Sequence, residues 1–574
     1  GLYKELADVQ ASIDRWRTLD PDAARERLDL AALIRKQADA IELEIADSHE
    51  AGSDTDVAAI AEALEELRTT LIPNGLHVLG EPSSREDRRQ WLDALAQASG
   101  TGGIDDETFA LIDDGDVSDQ ARESLAVDQE LLDRLSRVNA ELKQDSEIPG
   151  ILRALDGGYV RPVVGGDLMR STEVLPTGRN MHSFDPMRIP STYAMLAGAA
   201  QADDLLQRYV DDAGAMPESV AIVLWGTDNI KTEGGPIAQA LRLLGARPRF
   251  DSYGRLAGAE LVPLEELGRP RIDAVMTLSG IFRDLLPNQT RLLAEAAWLA
   301  ASADEPPEQN FVRKHVLAYQ DDCGCDFDTA ALRVFSNASG SYGSNVNQLV
   351  DSGNWTDDDS LAEQYSRRKC FAYGKGGEPE RQADLLQRSL QDVDFTFQNL
   401  ESAELGVTTI DHYFDTLGGI SRAVHRAKGD SVEVYIGDQT ADRNTIRTLS
   451  EQVALETRTR VLNPKWYEGM LEHGYEGVRQ IESHVTNTVG WSATTGKVAP
   501  WVYEQISDTF VLDEEMRRRL ASLNPAASAK VANRLLEAHE REYWSPSEET
   551  LAALEKAGEE LEDVLEGVSE VAAA

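Results

Sequence analysis

Apolar residues from Leu2 to about Gln144 recur at three- and four-residue spacing, the period of helices that each bury one face. The stretch DPDAARERLDLAALIRKQADAIELEIA is representative, with Asp20 or Asp22 placed to cap its N-terminus. Acidic loops such as DSHEAGSDTD separate neighbouring helices, and Pro and Gly break the period in LIPNGLHVLGEPSS, which carries His77 and Glu81. Near residue 219 the pattern changes. SVAIVLWG and RIDAVMTLSG are short β-branched runs, each ending in a small-residue turn that leads into a helical stretch. Such alternation predicts βα units around a parallel sheet, with ligands meeting the loops at the carboxyl ends of the strands. ALRVFSNASG and SVEVYIGD read as further strands, and helical periodicity fills 359–369, 381–401, 443–457, 476–488, 525–542 and 547–565. The expected fold class is α/β multidomain, an N-terminal helical domain followed by α/β domains with parallel sheets. The segments are a mainly helical domain over 1–150, an α/β domain over 151–330, and an α/β to helical domain over 331–574.

Charge narrows the partners. The chain has 574 residues, 101 acidic against 56 basic, and only 12 of the basic residues are Lys, giving a formal net charge of −45. An Asp-rich, Lys-poor surface stays hydrated in concentrated salt, so the composition reads as adaptation to a salty cytoplasm. Nucleic acid is not an expected partner, because phosphate contacts need clustered Lys and Arg. Apolar runs fall short of the roughly 20 residues that span a bilayer, and a soluble, cytoplasmic protein is expected. The chain opens on Gly1 and runs straight into a helical pattern, as a fragment would. Its three cysteines, Cys323, Cys325 and Cys370, are too few for a disulfide framework, and without a second pair at ligand spacing Cys323 and Cys325 read as loop thiols before they read as zinc ligands.

Candidate chemistry lies in several polar segments. VLPTGRNMHSFDPMRIPS holds Arg179, Asn180, His182 and Asp185 between Pro176, Pro186 and Pro190, whose rings restrict the backbone and suit a preorganised site. A neutral imidazole accepts a proton or a divalent metal, Asp185 can orient it, and Arg179 can grip a carboxylate. The alternative is a packed loop whose polar groups satisfy nearby backbone. WGTDNIKTEGG follows an apolar strand and places Asp228, Asn229, Lys231 and Glu233 at its end. A P-loop needs Gly immediately before its Lys; Ile230 occupies that position, and neither Lys375 nor Lys497 restores the pattern, so no nucleotide site is expected in this chain. FSNASGSYGSNVNQ, with Asn337, Tyr342 and Asn345, is dense enough in small residues for successive amides to cradle an anion, though a flexible loop has the same composition. Trp355 and Arg368 belong to a stretch where aromatic surface adjoins guanidinium groups, as a planar ligand edged with carboxylates requires. Asp411-His412-Tyr413-Phe414-Asp415 is a carboxylate-flanked imidazole before a Gly-Gly turn, and NPKWYEGM adds Trp466.

Eight of these strings together, VLPTGRNMHSFDP, VLWGTDNIKTEGG, LGRPRIDAVMTLSGIFRDL, EQNFVRKH, RVFSNASGSYGSN, NPKWYEGM, GYEGVR and NTVGWSATTG, closely resemble the large subunit of the ATP-dependent chelatases. The likeness runs in unbroken order from Gly1 to roughly residue 565 and corresponds to the C-terminal half of a family member. That resemblance implies insertion of Mg²⁺ into protoporphyrin IX, or of cobalt into the corrin precursor hydrogenobyrinic acid a,c-diamide, with Co²⁺ or Mg²⁺ as substrate metal. It also implies AAA+ partner subunits that carry the ATP. The HGxLEW-type segment of the family's upstream half has no counterpart here. DHYFDTLGGI resembles the cobalt branch more than the magnesium branch, so cobalamin biosynthesis is the favoured expectation, with magnesium chelatase or a tetrapyrrole-docking module without chemistry as alternatives. Carried onto this sequence, the resemblance suggests His182 and His412 as proton acceptors or transient metal ligands, oriented by Asp185 and Asp411. Arg179, Asn180, Asp228, Asn229, Asn337, Tyr342, Asn345, Trp355, Arg368 and Trp466 then line the tetrapyrrole site.

Overall fold

The computed structural model describes all residues except 1, 21–22, 44, 46–50, 116–127, 164, 181–183, 377, 441–444 and 569–574. It divides into two compact units, and both draw on distant parts of the chain. One comprises Gly1–Leu76, Ser450–Val489 and Lys497–Ala574, the other His77–Leu449 and Gly490–Gly496. Three consecutive segments are a different partition of the same chain.

The described part of the first unit is helical. Helices Lys4–Thr18, Ala24–Ala40 and Asp54–Thr69 bury Val9, Ile13, Ile34, Ile60 and Leu64 in one cluster, the residues the helical period assigns to a single face. Ser53 caps the third helix by accepting from the Asp56 N–H at 3.1 Å. Ala24–Ala40 instead starts from Ala23 without a side-chain cap; Asp20 contributes a backbone carbonyl to Ala23, and Asp22 lies outside the described residues. The helices Pro525–Glu540 and Glu548–Leu565 continue the unit, the latter capped by Ser547.

The second unit is built on an eight-stranded sheet. Its strands are β1 (Ser219–Leu224), β4 (Asp273–Leu278), β5 (Val334–Ser336), β6 (Phe371–Ala372), β7 (Glu380–Arg381), β8 (Phe395–Leu400), β9 (Glu433–Asp438) and β10 (Thr445–Thr448), in the order β10-β9-β8-β1-β4-β5-β6-β7. Strands β2 (Ala246–Phe250) and β3 (Leu256–Leu261) form a separate antiparallel pair. The five central strands from β9 to β5 are parallel, in register Ser219↔Asp273 through Leu224↔Leu278 and Phe395↔Glu433 through Leu400↔Asp438, while the pairs at both edges are antiparallel. Every residue of β1, β4 and β8 is buried, as near-continuous apolar runs covered on both faces must be. Helices Thr192–Ala213, Gly235–Leu244, Pro287–Ser302 and Phe311–Cys323 supply much of that cover.

Three local expectations change. The span 381–401 is a nine-residue helix, Ala383–Gln391, followed by β8, because FTFQNL alternates with a strand period and sits between two strands. Likewise 443–457 begins with β10 before its helix Leu449–Thr459. Cys323 and Cys325 are paired as a disulfide across Gly324, whose left-handed φ of +65° turns the chain back at the end of its helix, so they do not stand as thiols.

Candidate functional site

Strand order reverses at β1, whose sequence-successive parallel partner β4 lies on one side and β8 on the other, and the loops leaving the carboxyl ends of β1 and β8 diverge there. From β1 the chain passes through Trp225 into the short helix Gly226–Lys231, which buries Asp228 and Asn229. Gly226 permits the close turn, since a Cβ there would meet the Phe282 nitrogen at 2.6 Å. Asn229 is held inside, its Nδ2 donating to the Trp225 carbonyl at 2.8 Å and its Oδ1 accepting from the Ile237 N–H at 3.1 Å. Asp228 is 3% exposed, and its Oδ2 has no hydrogen-bond partner among the described residues.

From β8 the chain passes into Glu401, also 3% exposed. Its Oε2 accepts from Arg170 Nη1 at 2.5 Å, and its Oε1 has no described partner. The segment carrying Arg170 is tied to the same loop by Asp167, whose Oδ2 accepts from Ser402 Oγ at 3.0 Å and the Ala403 N–H at 2.9 Å. Burial pushes the Glu401 carboxyl up to about 8, against the attraction of Arg170. It pushes Asp228 up to about 6, with Lys231, Thr227 and Arg170 opposing. The two acids also repel one another, which further raises Glu401. Both shifts move the coupled pair toward the neutral range, where it can exchange protons.

A buried amide network backs this pair. Asn399 Nδ2 donates to Gln239 Oε1 at 2.8 Å, Gln239 Nε2 donates to Asn399 Oδ1 at 3.1 Å and Gln201 Oε1 at 2.7 Å, and Gln439 Nε2 donates to Asn399 Oδ1 at 2.9 Å. Trp225 Nε1 donates to Gln398 Oε1 at 3.1 Å, and its ring lies 5.4 Å from that of Tyr413. That aromatic pair joins β1 to the segment after residue 410.

A second cluster forms after β5. The amides of Ser344, Val346 and Asn347 do cradle a carboxylate, and it belongs to the chain: fully buried Asp415 accepts from them at 2.7, 2.7 and 3.2 Å. Asn345, in the left-handed region at φ +63°, turns the loop over this acid. Asn347 Nδ2 donates to Asp411 Oδ2 at 2.6 Å, so the segments of Asn345 and His412 come together; His412 itself is exposed. Asn337 is buried, donating to the Gly343 carbonyl at 2.7 Å with its Oδ1 unpartnered among the described residues. Arg368 donates to the Tyr342 carbonyl at 2.9 Å, while the Tyr342 hydroxyl donates to Asp284 at 2.5 Å and its ring faces Arg283. Beneath them Lys369 is buried with Nζ 3.1 Å from the Leu278 carbonyl, and burial pushes its ammonium down to about 8 against the pull of Asp415.

The remaining sequence candidates are placed differently. The Arg179 guanidinium donates to the carbonyls of Glu173, Leu175 and Pro176, leaving no free fork for a carboxylate. The Asn180 carbonyl accepts from the Val163 N–H, and Asp185 caps the turn Pro186–Arg188 while pairing with Arg188 at 3.5 Å. His182 lies outside the described residues. Trp355 is buried in the second unit, and Trp466 belongs to the first, packed 5.9 Å from the His484 ring. Among the described residues no three His, Cys, Asp or Glu side chains are grouped to hold a metal ion, and no helix is long and apolar enough to cross a membrane. Sequence reasoning missed Glu401 and Arg170. The available signal was QNLES, a polar run straight after an aromatic, strand-like alternation.

A family model described as CobN/magnesium chelatase matches residues 1–124 and 107–551. A magnesium-chelatase subunit from Cereibacter sphaeroides is 56% identical over 571 residues, covering 99% of this chain and 44% of that protein. An aerobic cobaltochelatase subunit, CobN, from a Sinorhizobium species is 36% identical over 411 residues, covering 70% of this chain and 32% of that protein. Among solved structures, the catalytic subunit of cobaltochelatase from Mycobacterium tuberculosis matches with a TM-score of 0.89 and 31% identity, over 98% of this chain and 52% of that one. The chain thus spans about half the length, or less, of these relatives.

Proposed function

The chain belongs to the CobN/magnesium chelatase family, and we propose that it works as part of a magnesium chelatase large subunit, with the carboxyl edge of β8 and β1 as its proton-accepting site. Identity supports magnesium over the cobalt reading of DHYFDTLGGI: 56% to a magnesium-chelatase subunit against 36% to a cobaltochelatase subunit. Cobalt and a corrin precursor remain the second reading, favoured by the match to the solved cobaltochelatase subunit. ATP hydrolysis belongs to AAA+ partner subunits in either case.

Inserting a divalent ion into a free-base tetrapyrrole forms metal–nitrogen bonds and releases two pyrrole N–H protons, which need acceptors with pKa values near the working pH. Asp228, at about 6, is mostly ionised at pH 7 and takes a proton; Glu401, at about 8, holds one and passes it on as the next arrives. Arg170 steadies Glu401 whenever it is ionised. Trp225 and Tyr413 supply flat apolar surface for the macrocycle. His412, with Asp411 beside it, is an exposed imidazole for exchange with the hydrated metal. Arg368 of the second cluster is the candidate contact for a peripheral carboxylate, with Tyr342 and Asn337 behind it. The observation that carries this reading is the pair of buried, incompletely partnered acids, Asp228 and Glu401, at the point where strand order reverses.

The test is Mg²⁺ insertion into protoporphyrin IX by the full-length large subunit with its ATPase partners, comparing wild type with D228N and E401Q. Both variants are expected to slow insertion while fluorescence quenching still reports tetrapyrrole binding. Unchanged rates in both would reduce the chain to a binding or docking module, and faster Co²⁺ insertion into the corrin precursor would restore the cobalt reading.

A further inference from the structure

The second unit has a cleft of about 230 Å³ between helices Asp358–Lys369, Ala383–Gln391 and Gly419–Lys428. Three arginines line it: Arg367 and Arg426 from the last turns of the first and third helices, and Arg381 from β7. None forms an ion pair with a described carboxylate. Arg367 donates to the Gln364 side-chain oxygen and Arg426 to the Asp359 carbonyl at 3.5 Å, both neutral acceptors. The contrast with adjacent arginines is direct. Arg422 pairs with Asp358 at 3.0 Å, and Arg388 with Asp392 at 2.5 Å. In a chain of net charge −45, three guanidinium groups sharing one concavity against one lining carboxylate, Glu363, are an unbalanced feature.

We propose that the cleft lined by Arg367, Arg381 and Arg426 binds a phosphoryl oxyanion. Guanidinium forks match the tetrahedral oxygens of phosphate, and three of them exceed what one carboxylate with two oxygens can use. Glu363 is the acidic side chain in the lining, so the local balance is near two positive charges, which suits a dianion. Ser366 and Gln387 add neutral donors. The helix beginning at Ala383 brings its start to the cleft with no side-chain cap from Gln382, and contributes without carrying the case. The volume lies below the roughly 300–1,000 Å³ of pockets for drug-sized ligands, so the cleft takes a phosphate or diphosphate group and leaves any attached nucleoside outside. This site is independent of the tetrapyrrole reading.

Titration calorimetry on the intact chain at low ionic strength, with inorganic phosphate, pyrophosphate and ADP as separate probes, tests it. Pyrophosphate is expected to bind at one site, about tenfold or more weaker in R381A/R426A and intermediate in R381K/R426K, which keeps charge but loses the fork. All three arginines are exposed, so circular dichroism and melting should match wild type; should the Ala variant misfold, the Lys variant still reads out loss of bidentate contact. Equal binding of pyrophosphate and ADP identifies a free phosphoryl anion as sufficient, and tighter ADP binding identifies a nucleotide source. The proposal falls if no probe binds, if the substitutions leave affinity unchanged, or if a poly-aspartate peptide binds while pyrophosphate does not.

Discussion

The two ends of the central sheet bury charge in opposite ways. At the amino end, Asp273 opens β4 and accepts from Arg333 Nε at 2.9 and 3.1 Å; His315 Nδ1 lies 3.0 Å from the same carboxylate, and its Nε2 lies 3.3 Å from Glu218. Arg333 also donates to the Ala330 and Leu332 carbonyls. Burial pushes the Asp273 carboxyl up, but Arg333 and His315 outweigh it and hold it below the usual carboxylate range. Burial likewise pushes His315 down, and Asp273 outweighs it, leaving the imidazole raised. At the carboxyl end the same sheet buries Asp228 and Glu401 with one oxygen of each left without a partner among the described residues, and both acids are raised. Fully paired charge fixes the strands at the amino end, whereas at the carboxyl end Arg170 offsets only part of the cost of burying the two acids, and the surrounding fold must hold them there.

Removing charge from each end should therefore act differently. D273N leaves Arg333 buried without its counter-charge, with His315 keeping only Glu218, and is expected to destabilise the unit by about 3–5 kcal/mol, read by urea unfolding. E401Q should slow metal insertion by about 100-fold without unfolding the protein. Its effect on stability has a definite sign. Because burial raises Asp228 and Glu401, the folded chain binds more protons than the unfolded chain between about pH 4 and 8 and loses stability as pH rises through that window. E401Q should flatten this alkaline loss in melting curves recorded against pH. An unchanged slope would place Glu401 with the compensated charges.

The amino end has the opposite acid limb. Asp273 is held low, so its contribution is present above the ordinary carboxylate range and disappears as pH falls; the raised His315 contributes below roughly 6.5 and loses that contribution as pH climbs through its shifted value. Smaller effects sharpen the picture at the second cluster. D415N weakens the acceptor that holds three loop amides and should cost about 2 kcal/mol, with faster hydrogen exchange at Ser344 and Val346. G280A is the mildest: the new methyl would meet the Tyr342 ring at 2.3 Å, but that side chain is half exposed and can swing away, at about 1 kcal/mol, losing its bond to Asp284. A markedly larger loss in urea unfolding of G280A would show that the ring stays where it is.

Strands β1, β4, β5 and β9 were legible because short runs holding β-branched or aromatic residues, bounded by small residues, favour extended backbone. The switch-point site was not, and one misread element explains why. FTFQNL follows a strongly amphipathic helix closely enough to extend its period, so β8 was absorbed into 381–401 and Glu401 became a helix-end residue instead of a residue at a strand's carboxyl end. The Ser/Asn/Gly loop, whose composition fits a flexible loop as well as an anion cradle, does hold a carboxylate, and composition could not say that Asp415 is the acid it holds.

Local pattern thus determined which segments become strands, which become helices and where polar loops leave the sheet, since these follow from side-chain period and backbone preference over a few residues. Tertiary structure alone decided the partnership of Arg170 with Glu401, 231 positions away, and the burial of Asp228 Oδ2 without a partner among the described residues. A carboxyl's affinity for protons depends on the water and charge excluded from around it, and that environment is assembled from parts of the chain that share no local signal.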